Sequence, residues 1–309
     1  MKSMIAGLLS RLAGVQTGRG LWIDGADAER TLARMDVSET VRTALFDLIT
    51  RGVACLKANV HPNLIDEVLK DFARYCRASE VSADYRDEFG LHERLCNLQL
   101  ESTAARRIAL NSTTIEVLTR AFGKEPVVVG SLLFEKGSQQ SVHRDGPAFF
   151  TWPTGQFFGV WNALEDIAPD AGPLIYYEGG HRAISDKDLR RAGAANEATY
   201  FRRVIEDCEK RHLVMREVLL QRGDTLIWHS QLPHGGSKIS NPARSRKSLV
   251  FHYIPLGTPI FGPTEFFGPG APKARGPNYS VLELDGGKFL NQGSPRFFHN
   301  YVEGNFHEV

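Results

Sequence analysis

The chain has 309 residues, of which 42% are hydrophobic and 24% charged, a composition that predicts a soluble globular protein with a sizeable core. Its 37 basic and 36 acidic residues leave a net charge of +1, which argues against nucleic acid or an anionic membrane surface as a partner. The 4 cysteines form no CxxC pair and no disulfide framework, so we expect a reducing, cytoplasmic location.

The N-terminus, residues 1–15, contains a short apolar run that is too broken for a secretory signal. It predicts a short amphipathic helix or a frayed end. No stretch of the chain approaches the ~18 apolar residues of a membrane-spanning helix, so we expect no membrane span.

Residues 1–125 are predicted to be mainly helical. Apolar residues recur at helical spacing behind Ser38, a favourable N-cap, and again behind Pro62, a favourable first helical residue. Between these two helices, residues 52–57 predict a short strand. A third helix is predicted over residues 104–122, because a glycine follows there.

The pattern changes at Pro126, where short β-type runs of branched and large apolar residues begin. These runs, punctuated by glycine and proline, cover residues 127–134, 156–164, 174–177, 218–220, 224–229 and 248–254. Many short strands with turn signals predict a barrel or a sandwich. The charged segment over residues 183–211 has no β pattern and predicts a helical insertion between strands.

The last part of the chain is rich in glycine and proline but keeps many aromatic residues, which a disordered tail would lack. We therefore predict an irregular tail over residues 256–309 that packs on the core, as a lid or as the contact of a homo-oligomer. The whole chain, residues 1–309, is predicted to form a single domain with its β core over residues 126–255.

His143 and Asp145 form the chain's one His-x-Asp/Glu triplet and are the first candidate metal ligands. With 10 histidines and 36 acidic residues in 309, about one such triplet is expected by chance, so alone it is uninformative. At a strand or strand end, side chains two residues apart would leave the same face. His234 is the third candidate, since it follows a strand-like run and precedes Gly235 and Gly236, where we expect the backbone to turn sharply.

Two imidazoles and one carboxylate suit non-haem Fe(II) with open positions for a co-substrate and O₂. Structural zinc would favour cysteine and a closed fourth position. A keto-acid co-substrate carries a second carboxylate, which a planar guanidinium fork would bind. Arg244 and Arg246 follow His234 at the start of the next strand. The residues alone do not decide which of the two arginines would bind the co-substrate carboxylate, and an ordinary surface role stays an alternative.

Five short segments carry further motifs: residues 161–167 (WNALEDI), 172–174 (GPL), 179–182 (GGHR), 223–229 (GDTLIWH) and 233–237 (PHGGS). Together with the His-x-Asp triplet and the strand behind Arg246, they resemble the phytanoyl-CoA dioxygenase (PhyH-like) family of Fe(II)/2-oxoglutarate-dependent oxygenases. The resemblance covers roughly residues 126–255.

The resemblance implies a protein that is mainly β with flanking helices: a double-stranded β-helix (jelly-roll, cupin-like) core and a helical N-terminal region. It implies that His143, Asp145 and His234 hold iron. The cofactors that follow are Fe(II), 2-oxoglutarate as co-substrate and O₂.

Several further residues take roles from the resemblance. Arg246 would bind the C5 carboxylate of 2-oxoglutarate, with Arg244 as the competitor because the loop after His234 is one residue longer than we expect. Trp161 and Leu132 match positions that wall the co-substrate. The motif histidines His181 and His229 are expected in a turn and beside the ligands rather than as ligands.

The activity implied is an oxidation of a small organic substrate. Asp145 favours hydroxylation over halogenation, because the halogenating members of this superfamily replace the carboxylate by a small residue. We therefore predict a biosynthetic dioxygenase that hydroxylates or otherwise oxidises an unactivated C–H bond and releases succinate and CO₂. The alternatives are a non-catalytic cupin-like barrel that binds a ligand or sugar, and a different metal-dependent enzyme, an isomerase or hydrolase, on the same barrel.

Overall fold

The computed structural model describes residues 20–79, 82–183, 185–191, 193–268 and 276–299. The helix or frayed end predicted within residues 1–15 lies outside them. None of the helices in the described ranges is long and apolar enough to cross a membrane.

Helices dominate the first part of the chain. The hydroxyl of Ser38 accepts a hydrogen bond from the N–H of Val41 and caps a long helix, which Gly52 ends in the left-handed conformation. The described α-helices are Ala28–Ala33 (α1), Glu39–Arg51 (α2), Pro62–Ala78 (α3), Thr103–Ala109 (α4), Ser112–Phe122 (α5), Asp186–Arg191 (α6), Glu197–Lys210 (α7) and Pro263–Phe267 (α8).

The single helix predicted over residues 104–122 is divided into α4 and α5. The side chain of Asn111 accepts hydrogen bonds from the N–H groups of Thr113 and Thr114 and so caps α5. Asparagine favours such a cap over a helix interior, because its side chain competes for nearby backbone groups. The apolar periodicity continues through the break, which is why the pattern alone did not reveal it.

The described strands form one large sheet, one smaller sheet of three strands, and a separate two-stranded sheet in which the fourth and eleventh strands pair. They are Val53–Leu56 (β1), Arg94–Cys96 (β2), Pro126–Phe134 (β3), Phe150–Thr151 (β4), Phe158–Ala163 (β5), Leu174–Tyr177 (β6), Met215–Val218 (β7), Thr225–His229 (β8), His234–Gly236 (β9), Ser248–Pro255 (β10), Ile260–Phe261 (β11), Val281–Leu284 (β12), Gly287–Leu290 (β13) and Arg296–Phe298 (β14). In the large sheet the order is β1-β8-β5-β10-β3-β13-β12, with β2 paired to β3 and β14 paired to β2. In the smaller sheet the order is β7-β6-β9.

Strand β10 lies near the centre of the large sheet and separates the core from the cavity described below. Leu249, Phe251 and Tyr253 are fully buried in the apolar cluster that α2, α3 and α5 share with the sheet. Burial of one such side chain contributes about 1.5–3 kcal/mol. Val250 and His252 alternate with them, so their side chains leave the opposite face, where they line the cavity.

The sharp turn predicted at Gly235 and Gly236 is wrong, because both residues belong to β9, which pairs antiparallel with β6. A Cβ on Gly235 would lie 2.8 Å from the carbonyl oxygen of Gln140, and one on Gly236 would lie 2.9 Å from the backbone nitrogen of Gln139. Glycine is needed there because the chain segment before His143 crosses β9 at close range.

The tail contains more regular structure than the irregular one predicted. Strands β12 and β13 form a hairpin whose second strand runs parallel to β3, and β14 pairs with β2. The hairpin turns at Asp285 and Gly286, both with positive φ, and Asp-Gly between apolar residues is a strong hairpin signal. The strand predicted over residues 218–220 is instead Met215–Val218. Its first three residues are exposed, so no continuous apolar run marks this strand in the sequence. A homo-oligomer contact through the tail stays a prediction.

Candidate metal centre and its cavity

His143 and His234 lie directly opposite each other on an isolated β-bridge. The N–H of His143 donates to the carbonyl of His234 at 2.8 Å, and the N–H of His234 donates back at 2.9 Å. Their imidazole centroids are 4.5 Å apart. The triplet therefore lies on a bridge and the following bend, not within a strand, and this bridge brings the two histidines together from distant parts of the sequence.

The imidazoles are oriented by backbone carbonyls. Nδ1 of His143 donates to the carbonyl of Ser141 at 2.8 Å, and Nδ1 of His234 donates to the carbonyl of Leu232 at 3.0 Å. In the neutral imidazole, Nε2 then carries the free lone pair. Both rings thus offer Nε2 toward the same carboxylate, that of Asp145, at 3.7 and 3.8 Å.

Asp145 is held by a tryptophan that the sequence pattern did not single out. The indole Nε1–H of Trp228 donates to Oδ2 of Asp145 at 2.7 Å. The indole lies against Gly159, on the neighbouring strand β5, where a Cβ would come within 2.1 Å of Cε2 of Trp228. A glycine at this position is therefore required for the tryptophan that orients the carboxylate.

The electrostatics of the three groups suit a divalent metal. Burial, reinforced by the neighbouring His234, lowers the pKa of His143 to about 4. Burial alone would raise the pKa of Asp145, but His234, His143 and His252 together with the Trp228 N–H outweigh it, and the net pKa is lowered. A neutral imidazole beside an ionised carboxylate is the state that metal binding needs.

Among the residues whose placement is described, His143, Asp145 and His234 are the one group of three whose ligand atoms all lie within 4.8 Å of one another. All three side chains are buried. Two nitrogens and one carboxylate oxygen form the donor set that non-haem Fe(II) prefers, with room for further ligands. The donor chemistry therefore fits iron.

Arg246 lies in the wall of the same cavity. Its side chain is 4% exposed, and its guanidinium carbon lies 5.2 Å from the Trp161 ring centroid and 5.8 Å from that of Phe134. Within the described residues no carboxylate comes within 4.0 Å of it, and Nε has no hydrogen-bond partner. Burial lowers its pKa to about 10, so it still carries a positive charge at neutral pH. A buried cation without an anion indicates a missing anionic ligand.

Arg244 is placed differently. Its side chain is 50% exposed, and Nε lies 3.0 Å from Oδ1 of Asp170 at the surface. Of the two arginines that the sequence left open, the structure thus brings only Arg246 to the cavity.

Leu132 and Trp161 flank Val250 in one row across the large sheet. Val250 is the register partner of Leu132 on β3 and of Trp161 on β5. Residues in direct register share a face of a sheet, and all three line the cavity. The indole Nε1 of Trp161 is buried without a hydrogen-bond partner in the described part of the chain.

The cavity has a volume of about 1030 Å³ and is lined by residues of both the large sheet and the three-stranded sheet. The His-Asp-His group, Arg246 and Trp161 line it, together with residues of β2 and β14. Pockets for small organic ligands commonly measure about 300–1,000 Å³, so this one has room for a co-substrate and a substrate together.

The sequence matches a known family over residues 49–248, more than half of the chain. The family is described as phytanoyl-CoA dioxygenase (PhyH). The chain belongs to the PhyH family. This confirms the resemblance found in the sequence motifs.

A phytanoyl-CoA dioxygenase domain-containing protein 1 from Bos taurus is 28% identical over 169 residues, and that from Mus musculus is 26% identical. Each match covers 53% of this chain and 57% of the relative, so the chain spans just over half the length of these curated PhyH relatives.

Solved structures share the fold at low sequence identity. The α-ketoglutarate-dependent epimerase SnoN from nogalamycin biosynthesis has a TM-score of 0.57 and 18% identity, over 81% of this chain and 98% of SnoN. EctD from S. alaskensis, solved with 2-oxoglutarate and 5-hydroxyectoine, has a TM-score of 0.57 and 15% identity, over 79% of this chain and 87% of EctD. The predicted fold, a jelly-roll core with a helical N-terminal region, is confirmed.

The motif histidines His181 and His229 lie together rather than beside the metal ligands. Their ring centroids are 5.6 Å apart, and Nε2 of His229 lies 3.4 Å from Oδ1 of Asp24. Nε2 of His181 donates to the carbonyl of Ile49. His181 lies in a short 3₁₀ turn as predicted, but His229 packs against the N-terminal part of the chain. These residues tie that part to the sheet.

Proposed function

We propose that this chain is an Fe(II)- and 2-oxoglutarate-dependent dioxygenase that hydroxylates an unactivated C–H bond of a small organic substrate. The observation that carries the proposal is one cavity lined by a buried His-Asp-His donor set and by the buried guanidinium of Arg246, which lacks a carboxylate partner among the described residues. Membership in the PhyH family supports it.

The residues of this chain have separate tasks in that reaction. His143, Asp145 and His234 would hold the metal, and their backbone and indole partners fix the direction of each donor atom. Arg246 would bind the distal carboxylate of 2-oxoglutarate through its planar fork. Iron, 2-oxoglutarate and O₂ together supply the oxidant: the keto acid becomes succinate and CO₂, and one oxygen atom enters the substrate C–H bond.

The walls of the cavity position the reactants and exclude water. Trp161 and Leu132 present an apolar surface beside Arg246, which lowers the local dielectric and strengthens the interaction of the guanidinium with a carboxylate. Phe149 adds a further apolar ring to the cavity wall. The remaining open volume would accept a small organic molecule.

Two features favour an oxygenase over its rivals. Asp145 is present and ionised, which supports hydroxylation over halogenation. A non-catalytic cupin-like barrel would have no need for an unpaired buried arginine next to a three-ligand metal group, because burying a charge is costly. The fold does not fix the reaction: SnoN is named an epimerase and SnoK, with a TM-score of 0.57, a carbocyclase.

Succinate release tests the proposal. Protein reconstituted with Fe(II) should convert 2-oxoglutarate to succinate in the presence of O₂, and a screen of small organic compounds should reveal substrates that accelerate it. His143→Ala and Asp145→Ala should lose this activity. His229→Gln is the matched control, since it changes another buried histidine near an aspartate but outside the cavity lining. Unchanged succinate release in His143→Ala would refute the proposal.

A further inference from the structure

Two glycines flank His252 on the cavity face of the large sheet. His252, on β10, is the register partner of Gly130 on β3 and of Gly159 on β5. Glycine inside a strand often marks the close approach of another group. Over Gly159 that group is Trp228, which holds the candidate iron ligand. The group over Gly130 has no role in the function proposed above.

The side-chain amide of Asn97 lies over Gly130. A Cβ at Gly130 would be 3.0 Å from Oδ1 of Asn97, and 3.3 Å from Oε1 of Gln292 beside it. Asn97 is 4% exposed and has a φ of 61°, a left-handed conformation that asparagine tolerates. It precedes the 3₁₀ helix Leu98–Leu100, yet its side chain makes no capping hydrogen bond. Within the described residues the amide has no hydrogen-bond partner, and it lines the cavity.

His252 is the second polar side chain of this kind. It is 5% exposed and packs against the rings of both Phe149 and Phe157, with centroid distances of 4.5 and 5.3 Å. Neither ring nitrogen has a hydrogen-bond partner in the part of the chain that the structure describes, and the ring lines the cavity. Two polar side chains that line the same cavity, and make no hydrogen bond within the described residues, offer their donors and acceptors to a ligand in that cavity.

We propose that Asn97 and His252 form a subsite that hydrogen-bonds an uncharged oxygen of the substrate, in a hydroxyl or carbonyl group. The inference rests on the proposed function, because it assigns the substrate of that same cavity. Asn97 offers a donor and an acceptor, and neutral imidazole also offers one of each. Burial lowers the pKa of His252 to about 4, so the pair carries no charge that would favour a carboxylate or phosphate.

The position of the subsite gives it a function in orientation. In the large sheet His252 has Gly130 on one side and Gly159 on the other. The Asn97 amide lies over Gly130, and the Trp228 indole, which donates to Asp145, lies over Gly159. A substrate oxygen bound by Asn97 and His252 would therefore lie in the same cavity as the metal ligands but on a different part of its wall. Such an anchor fixes which C–H bond of the substrate faces the metal centre.

The test compares two probes, benzyl alcohol and toluene, which differ by one hydroxyl group. Their dissociation constants are measured by ligand-observed NMR on protein loaded with Zn(II) and 2-oxoglutarate, which cannot turn over. In the wild type benzyl alcohol should bind more tightly than toluene, because only benzyl alcohol can hydrogen-bond to the subsite. The ratio of the toluene dissociation constant to the benzyl alcohol dissociation constant should fall roughly five- to tenfold in Asn97→Gly and in His252→Phe, since each variant loses one hydrogen bond. Glycine accepts the positive φ of residue 97, and phenylalanine preserves the ring stack, so both variants should fold.

Two further variants sharpen the comparison. Gly130→Ala should lower the ratio in the same way, because its Cβ would displace the Asn97 amide without removing it. Ser138→Ala removes a different polar side chain from the cavity lining and should leave the ratio at the wild-type value. A ratio unchanged in Asn97→Gly and His252→Phe, or no binding of either probe, overturns the subsite.

The failure of the subsite and the failure of the proposed function are distinguishable. Binding of 2-oxoglutarate to the metal-loaded wild type is measured in the same samples. If 2-oxoglutarate binds and the probe ratio does not depend on Asn97 or His252, only the subsite is refuted. If the wild type does not bind 2-oxoglutarate, the dioxygenase proposal itself is refuted.

Discussion

Trp228→Phe should weaken iron binding without removing a ligand. The indole N–H of Trp228 donates to the carboxylate of Asp145 at 2.7 Å, and the two residues are 4% and 6% exposed. A hydrogen bond to a charged group contributes about 1.5–3 kcal/mol, and about 1.4 kcal/mol corresponds to a factor of ten. We therefore expect Fe(II) affinity to fall roughly 10- to 100-fold, the usual cost of losing a partner of a metal ligand.

The assay is anaerobic competition for Fe(II) with a chromogenic chelator. Phenylalanine keeps an aromatic ring against Gly159 but cannot donate, so the carboxylate loses its orienting bond and its pKa should rise. Trp22→Phe is the matched control: its indole donates to the carbonyl of Arg120 at 2.8 Å, and Trp22 does not line the cavity. It should leave iron affinity unchanged. Iron affinity within twofold of wild type in Trp228→Phe would refute the argument.

Arg246→Ala should weaken 2-oxoglutarate binding in calorimetry by roughly 10- to 100-fold, because a charge-assisted contact is lost, whereas Arg244→Ala should not; the reverse result would show that the wrong arginine was chosen. Gly52→Ala should lower the free energy of unfolding by about 1–3 kcal/mol in urea titrations, because φ is 78° and the new Cβ would lie 2.4 Å from Nδ1 of His181; an unchanged midpoint would contradict this. In metal-free protein, burial lowers the pKa of His181 to about 3 and of His252 to about 4 from an ordinary 6.5. Between those values and 6.5 the folded state binds fewer protons than the unfolded state, so the free energy of unfolding should fall as pH drops below 6.5, by about 1.4 kcal/mol per pH unit for each group. His252→Phe should make this slope shallower by one proton, and an identical slope would show that His252 does not contribute.

The local signals of the sequence were sufficient for most of the elements. Ser38 caps a helix as expected, and the apolar run after Pro126 is the long strand β3. Local patterns failed where pairing across the sheet decides the conformation. Gly235 and Gly236 looked like a turn because glycine permits one, but they are strand residues that another segment crosses. The Asp285-Gly286 hairpin had a recognisable signal within a tail whose glycine and proline content suggested irregular structure.

The candidate metal ligands were predictable because residue type, order and spacing together resemble the PhyH family. The partners that orient them were not. The bond from Trp228 to Asp145 depends on the register of β8 against β5, which no local pattern specifies. Asn97 and His252 likewise reach the same cavity only through the pairing of β2 with β3 and of β3 with β10. The strand glycines Gly130 and Gly159 were the available signal, since a glycine within a strand often leaves room for a side chain from elsewhere.

The measurement that tests the central claim most directly is the visible absorption spectrum of anaerobic protein with Fe(II) and 2-oxoglutarate. A keto acid chelated to Fe(II) should give a metal-to-ligand charge-transfer band. This band is expected in wild type and in Arg244→Ala, and it should be lost in His234→Ala. Well-folded wild-type protein without the band, or His234→Ala with an undiminished band, would contradict the assignment of this cavity as an iron and 2-oxoglutarate site.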